Sequence, residues 1–117
     1  MAKKAKVDYD KEYDILWVYT GEKIKDSLEV DNFVIDFSHE NKVVGVEIFN
    51  ASKILSKLSL IQLNKSILSN ILEASLSFYQ SRELFFIVIR LILYAEKGRK
   101  EVSIQVPTPL LAVRAYS

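Results

Sequence analysis

The 117-residue chain has no cysteine, two prolines, three glycines and a single histidine. Without cysteine there can be no disulfide framework, no thiolate nucleophile and no cysteine zinc site, which fits a reducing, cytoplasmic compartment. The glycines, Gly21, Gly45 and Gly98, stand apart from one another. No Gly-x-Gly or Walker pattern therefore exists to cradle a phosphate, and no cofactor is expected. The one histidine, His39, falls among turn residues (Ser38-His-Glu-Asn41), and no serine sits in a glycine elbow, so a nucleophilic triad lacks its parts. No apolar run reaches the ~20 residues of a spanning helix. The densest, Leu84 to Ala95, is interrupted by Arg90, and Met1 to Lys6 is basic without a signal-like apolar stretch, reading as a solvated tail. A soluble chain with no membrane partner is the expectation.

Half of the residues are apolar and 26% are charged, with a formal net charge of +1. That composition and length describe a folded globular protein of single-domain size rather than a disordered or collagen-like chain. The charge is balanced in total but not along the chain. From Val7 to Asn50 there are eleven acids against four lysines, whereas Ala51 to Ser117 carries nine basic residues against four acids. Such bipolarity can attract a second copy or a basic partner, although alternating charges also simply cover the wet faces of strands. The basic cluster Lys97-Gly-Arg-Lys100 lies between two strand-like runs and reads as a hairpin turn, so no nucleic-acid partner is expected.

Period-two alternation predicts strands at Val7 to Asp10, Asp14 to Thr20, Leu28 to Phe37 and Lys42 to Phe49, with Phe33, Ile35, Phe37, Val44, Val46 and Ile48 inward. The spacing of Ile54, Leu55 and Leu58 then predicts a helix capped by Asn50, and Ser59-Leu-Ile-Gln62 matches a capping box for a second helix reaching about Ser69. Leu72 to Tyr79 alternates again. The run Leu84 to Tyr94 is dense in aromatic and β-branched residues between turn signals and reads as a strand. Lys100 to Val106 follows as another strand, and Pro107 and Pro109 bar it from a central place in a sheet. The expected fold is α+β in one domain: an acidic meander over 7–50, a central helical segment over 51–69, a second meander over 71–106 and a tail over 107–117.

The stretches Asp8-Tyr-Asp10, Asp14-Ile-Leu-Trp17, Val34-Ile-Asp36 and Lys42-Val-Val-Gly-Val-Glu-Ile48, followed by Asn50-Ala-Ser52, occur in an order and spacing that resemble domain-of-unknown-function family 2283. The resemblance covers about residues 1–53 and leaves the rest as an extension. It implies a small β-meander followed by a helix, and no catalytic residues, since the family has no established activity. Some short members are similar to proteins encoded beside small toxin-like partners, which implies an antitoxin-like regulatory role toward a basic protein. Trp17 stands where the family more commonly has tyrosine, and Asn50 where it more commonly has aspartate.

Asp8, Asp10, Glu12 and Asp14 alternate as in a calcium loop, but Tyr13 and Tyr19 occupy the places where such a loop needs its glycine and its bidentate glutamate. No metal site is expected there. Asp36 and Glu47 fall on adjacent predicted strands and point away from the apolar faces, which makes them the candidate acidic site. Paired carboxylates can separate their pKa values and do acid/base work, as a minimal carboxylate-based, metal-dependent hydrolase would require. They can equally face water.

The strongest signal is apolar surplus. Both faces of Leu84 to Tyr94 are apolar except at Arg90, and one core can cover only one of them. Phe86, Val88, Ile92 and Tyr94, with Leu110 and Leu111 of the tail, are the candidate interface of a homodimer. The sequence therefore predicts a small oligomeric binding or scaffold protein without catalysis.

Overall fold

Alternation between wet and inward side chains starts earlier than the sequence reading places it. In this computed structural model, which describes residues 2–80, 84–95 and 97–109, strand β1 runs over Lys3–Asp10. Lys4, Lys6, Asp8 and Asp10 face water while Ala5, Val7 and Tyr9 pack on the core. The basic start is thus not a solvated tail: Ala5 extends the inward row, and Lys3–Ala5 pair with Leu76–Ala74.

The remaining elements are β2 (Ile15–Tyr19), β3 (Asp26–Val30), β4 (Phe33–Phe37), β5 (Val43–Phe49), α1 (Ala51–Ser59), α2 (Lys65–Leu68), β6 (Ile71–Gln80), β7 (Leu84–Ala95) and β8 (Gly98–Pro109). The eight strands among the described residues join one antiparallel sheet in the order β3-β4-β5-β2-β1-β6-β7-β8. The expected α+β fold with a central helical segment is therefore corrected to a mostly antiparallel sheet carrying two short helices.

The helical segment fails for local reasons. Leu60 caps α1 at φ 61°, a left-handed position that a leucine holds poorly and that ends the helix there. Ser59 forms no capping box: its hydroxyl takes the Ile61 N–H, while Ser56 reaches forward to the Leu63 N–H at 2.7 Å. A four-residue helix restarts only at Asn64, whose side chain accepts from the Ile67 N–H at 2.8 Å. The extended stretch expected over 28–37 likewise divides. Asp31 at φ 51° turns the chain, and Val30 pairs with Phe33 to make the β3–β4 hairpin.

β1 serves both halves of the sheet, giving Lys6–Asp10 to β2 and Lys3–Ala5 to β6. The halves enclose one core. Leu16, Val18, Ile35, Val46 and Ile48 come from the first half, Leu76, Ile87, Ile89, Leu91, Val102 and Ile104 from the second, and Leu55 and Leu68 from the helices. A register shift between Asp36 and Phe37 sets Phe37 opposite Val43, which adds Val43 to the inward row. β8 ends the sheet, as Pro107 and Pro109 require. Ala95 pairs with Gly98 at φ 104°, so the basic cluster does sit at a hairpin. No described helix is long and apolar enough to cross a membrane.

Candidate functional site

Register in the first half of the sheet fixes which side chains share its outer face. Asp8, Trp17, Glu47 and Val34 form one cross-strand row, and Lys6, Tyr19, Gly45, Asp36 and Ser27 form the next. The missing side chain at Gly45 lets the Trp17 indole cross β5 and donate its N–H to Asp36 Oδ2 at 3.1 Å. Ser27 donates its hydroxyl to the other oxygen at 2.7 Å. Tyr19 stacks on Trp17 with ring centroids 3.9 Å apart. Asp36 is only 4% exposed, so its two donors are what make a buried carboxylate tolerable there.

Asp36 and Glu47 share this face, as the alternation predicts, but the structure separates their roles. Asp36 is engaged in holding Trp17 and Ser27. Glu47 is half-buried beside Trp17, and partial burial together with the neighbouring negative charge of Asp36 pushes its carboxyl above the ordinary glutamate value. A raised carboxyl favours the fold while protonated, and that contribution is lost as pH rises through the folded-state value. Glu47→Gln should therefore melt slightly higher than the parent at pH 7, by no more than about 1 kcal/mol given solvent screening. The difference should vanish near pH 3 in a thermal melt, and a variant that is less stable at pH 7 would contradict this account. Asp8, Asp10, Ile15, Trp17 and Glu47 line a shallow depression of about 220 Å³ on the face.

A second polar cluster lies beneath the β1–β2 turn and is missed by the sequence reading. Asp14 turns the chain at φ 57° and is 8% exposed. Its carboxylate accepts from the Tyr9 hydroxyl at 2.6 Å, the Ser52 hydroxyl at 2.6 Å and the Ser52 N–H at 3.0 Å. Asp14 thus caps α1 from a distance. Asn50, the expected cap, sits at φ 54° and makes no side-chain cap bond. Burial alone would raise the Asp14 carboxyl, but the bonds from Ser52 and Tyr9 outweigh it and hold it below the ordinary aspartate value. Burial, the bond to Asp14 and nearby negative charge raise the Tyr9 phenol. Asp10 accepts the Tyr13 N–H at 3.0 Å as a turn residue, so two of the alternating acids, Asp10 and Asp14, serve the turn. The signal in the sequence was the pairing of Asp14-Ile-Leu-Trp17 with Asn50-Ala-Ser52, which spacing alone could not connect.

His39 is exposed in the β4–β5 turn. At the β7–β8 hairpin, Arg99 forms an ion pair with Glu73 at 3.6 Å. Among the predicted interface residues, Phe86, Val88 and Ile92 are half-buried and Tyr94 is 56% exposed, all on the outer side of β7. Their inward neighbours Ile87, Ile89, Leu91 and Leu93 are fully buried against the core to which the helices contribute Leu55 and Leu68. Leu110 and Leu111 lie outside the described residues.

Residues 6–52 match the family described as "Protein of unknown function (DUF2283)", confirming the resemblance read from the motifs. The matched segment holds β1 from Lys6 onward, β2 to β5, the Asp14 cap and the Trp17–Gly45–Asp36 bridge. The chain is 50% identical over 54 residues to "Uncharacterized protein MJ0789" of Methanocaldococcus jannaschii, a stretch covering 45% of this chain and 47% of that protein. The chain thus matches about half the length of that relative. No solved structure matches.

Proposed function

We propose that this is a non-catalytic binding protein that receives a basic segment of another protein on the outer face of β1, β2 and β5. The observation that carries the reading is the half-exposed Trp17 ring set among Asp8, Asp10 and Glu47 around a shallow depression. An indole face attracts a lysine ammonium or arginine guanidinium, and flanking carboxylates add to that attraction. Glu47, whose charge is disfavoured beside Asp36, gains from a cation brought close to it. The strongly acidic segment 7–50 supports attraction of a basic partner at longer range. A basic partner is also what an antitoxin-like role would involve. The hydrolase reading has less support, because the carboxylate it would use, Asp36, already serves the Trp17 and Ser27 donors.

Trp17 is the chain's single tryptophan, so its emission reports on this face directly. Titration with oligolysine should give a saturable change in emission that weakens as salt is raised, while oligoglutamate gives none. Asp8→Asn combined with Asp10→Asn should weaken the response several-fold. No change with oligolysine, or the same change with both peptides, would reject the reading.

A further inference from the structure

The two faces of the Trp17 ring are not equivalent. Ile15, Trp17 and Tyr19 follow one another on the outer side of β2, and Tyr19 covers one face of the indole at a centroid separation of 3.9 Å and an interplanar angle of 21°. Among the described residues, the depression is lined by Asp8, Asp10, Ile15, Trp17 and Glu47 and not by Tyr19, so it borders the opposite, uncovered face of the ring. The indole cannot swing over to fill it without breaking its bond to Asp36 at 3.1 Å and leaving its stack on Tyr19. A flat aromatic wall, held in place, therefore bounds the depression beside Ile15.

Register places carboxylates on both sides of that wall. Asp8 on β1 and Glu47 on β5 both stand opposite Trp17, and Asp10 stands opposite Ile15. Because β1 and β5 are the two neighbours of β2, Asp8 and Glu47 rise from strands about 10 Å apart. Among the described residues none of these three acids forms an ion pair. Lys6, two residues from Asp8 on the same side of β1, carries its amine toward Gly21, 3.5 Å from where a Cβ there would lie. Asp10 gives one oxygen to the Tyr13 N–H. Asp8 and Glu47 thus line the depression from opposite sides with no cation of the chain between them.

An ammonium and a guanidinium meet this arrangement differently. A single lysine nitrogen, with each oxygen at about 2.8 Å, joins carboxylate oxygens no more than roughly 6 Å apart. A guanidinium is planar, presents N–H donors on opposite edges of its plane, and stacks flat on an indole without using any of them. It can lie on the free face of Trp17 and reach toward both flanking strands at once. A methylated ammonium is served less well, since one free aromatic wall does not make a cage. We propose that the basic segment is read through one arginine, whose guanidinium stacks on the free face of Trp17 and bridges Asp8 to Glu47. The inference rests on the basic-partner reading given above.

Two labelled peptides of equal length and charge test it by fluorescence anisotropy: oligolysine, and the same oligolysine with one central arginine. The arginine peptide should bind the parent protein about fivefold more tightly or better. Glu47→Gln and Asp8→Asn each remove one end of the bridge and should bring the two peptides to within about twofold of one another. Circular dichroism confirms that each variant is folded. Equal binding of the two peptides by the parent overturns the arginine inference and leaves the basic-segment reading in place. A preference that survives at parental size in both variants also overturns it, because the bridge is then not what selects arginine. Binding of neither peptide rejects the basic-segment reading itself, so the two failures are distinguishable.

Discussion

Replacing Asp14 with alanine is expected to destabilise the protein by about 3 kcal/mol, a fall in Tm of roughly 10 °C. The substitution removes the acceptor shared by the Tyr9 hydroxyl, the Ser52 hydroxyl and the Ser52 N–H, and leaves these donors in a part-buried site. The Ala51 N–H donates to the backbone carbonyl of residue 14 at 2.9 Å and keeps that tie to the β1–β2 turn, so the loss comes from the side-chain acceptor alone. Asn50 cannot take over, because its left-handed backbone directs its side chain away from the capping arrangement. Asp14→Asn should lose less, since its amide oxygen can still accept. The pH dependence carries the sign of both shifts. The depressed Asp14 carboxyl contributes stability above its unfolded-state value, and that contribution is lost as pH falls through the folded-state value. The raised Tyr9 phenol contributes stability below its ordinary value near ~10, lost as pH rises beyond it. The gap between parent and Asp14→Ala should thus be widest from about pH 5 to 9 and narrow at both ends. Urea denaturation followed by circular dichroism checks this, and a gap below about 1 kcal/mol at pH 7 would show the acceptor to be dispensable.

Strand positions were legible in this chain because most strands bury one face and leave the other wet, which writes period two into the sequence. β7 was legible for a different reason: aromatic and β-branched residues between turn signals mark a strand even where both faces are apolar. Three features were not legible. Joining β1 to both β2 and β6 depends on long-range pairing, and Lys3-Lys-Ala-Lys6 gives a local pattern of charge that conceals a single inward alanine. The helical segment was overread because an apolar spacing of three and four is compatible with two short helices joined by a link. The Ser59 and Ser56 hydroxyl oxygens accept the Ile61 and Leu63 N–H groups, which favours the link over the second helix expected to start at Ser59. At the candidate site, alternation placed Asp36 and Glu47 correctly on one face. It could not show that Trp17, two strands from Asp36, would reach it, because that contact depends on the strand order β4-β5-β2 and on the absence of a side chain between them.

That absence yields the second large effect. A methyl group at position 45 would lie 2.7 Å from Asp36 Oδ2, 3.1 Å from Trp17 Nε1 and 3.4 Å from Tyr19 Cβ. Glycine to alanine within a strand ordinarily stabilises by about 0.4–1 kcal/mol, because the unfolded chain loses freedom and the strand gains a side chain. Here the added carbon has no room, since Asp36 is held from the far side by Ser27 and the indole is held by its stack on Tyr19. Gly45→Ala should therefore destabilise by about 2 kcal/mol, through overpacking and through a weakened Trp17–Asp36 bond. Trp17 emission should shift to the red as the ring lifts from the sheet, and the near-ultraviolet dichroism of the Trp17–Tyr19 pair should fall. The cause can be isolated with Trp17→Phe, which removes the indole nitrogen while keeping an aromatic ring over β5. In that background Gly45→Ala should lose at least 1 kcal/mol less than in the parent, a coupling measurable in a double-mutant cycle. Equal losses in both backgrounds would mean that position 45 opposes a side chain for reasons unconnected with the indole, and Gly45 would then have no part in positioning Trp17 on the outer face.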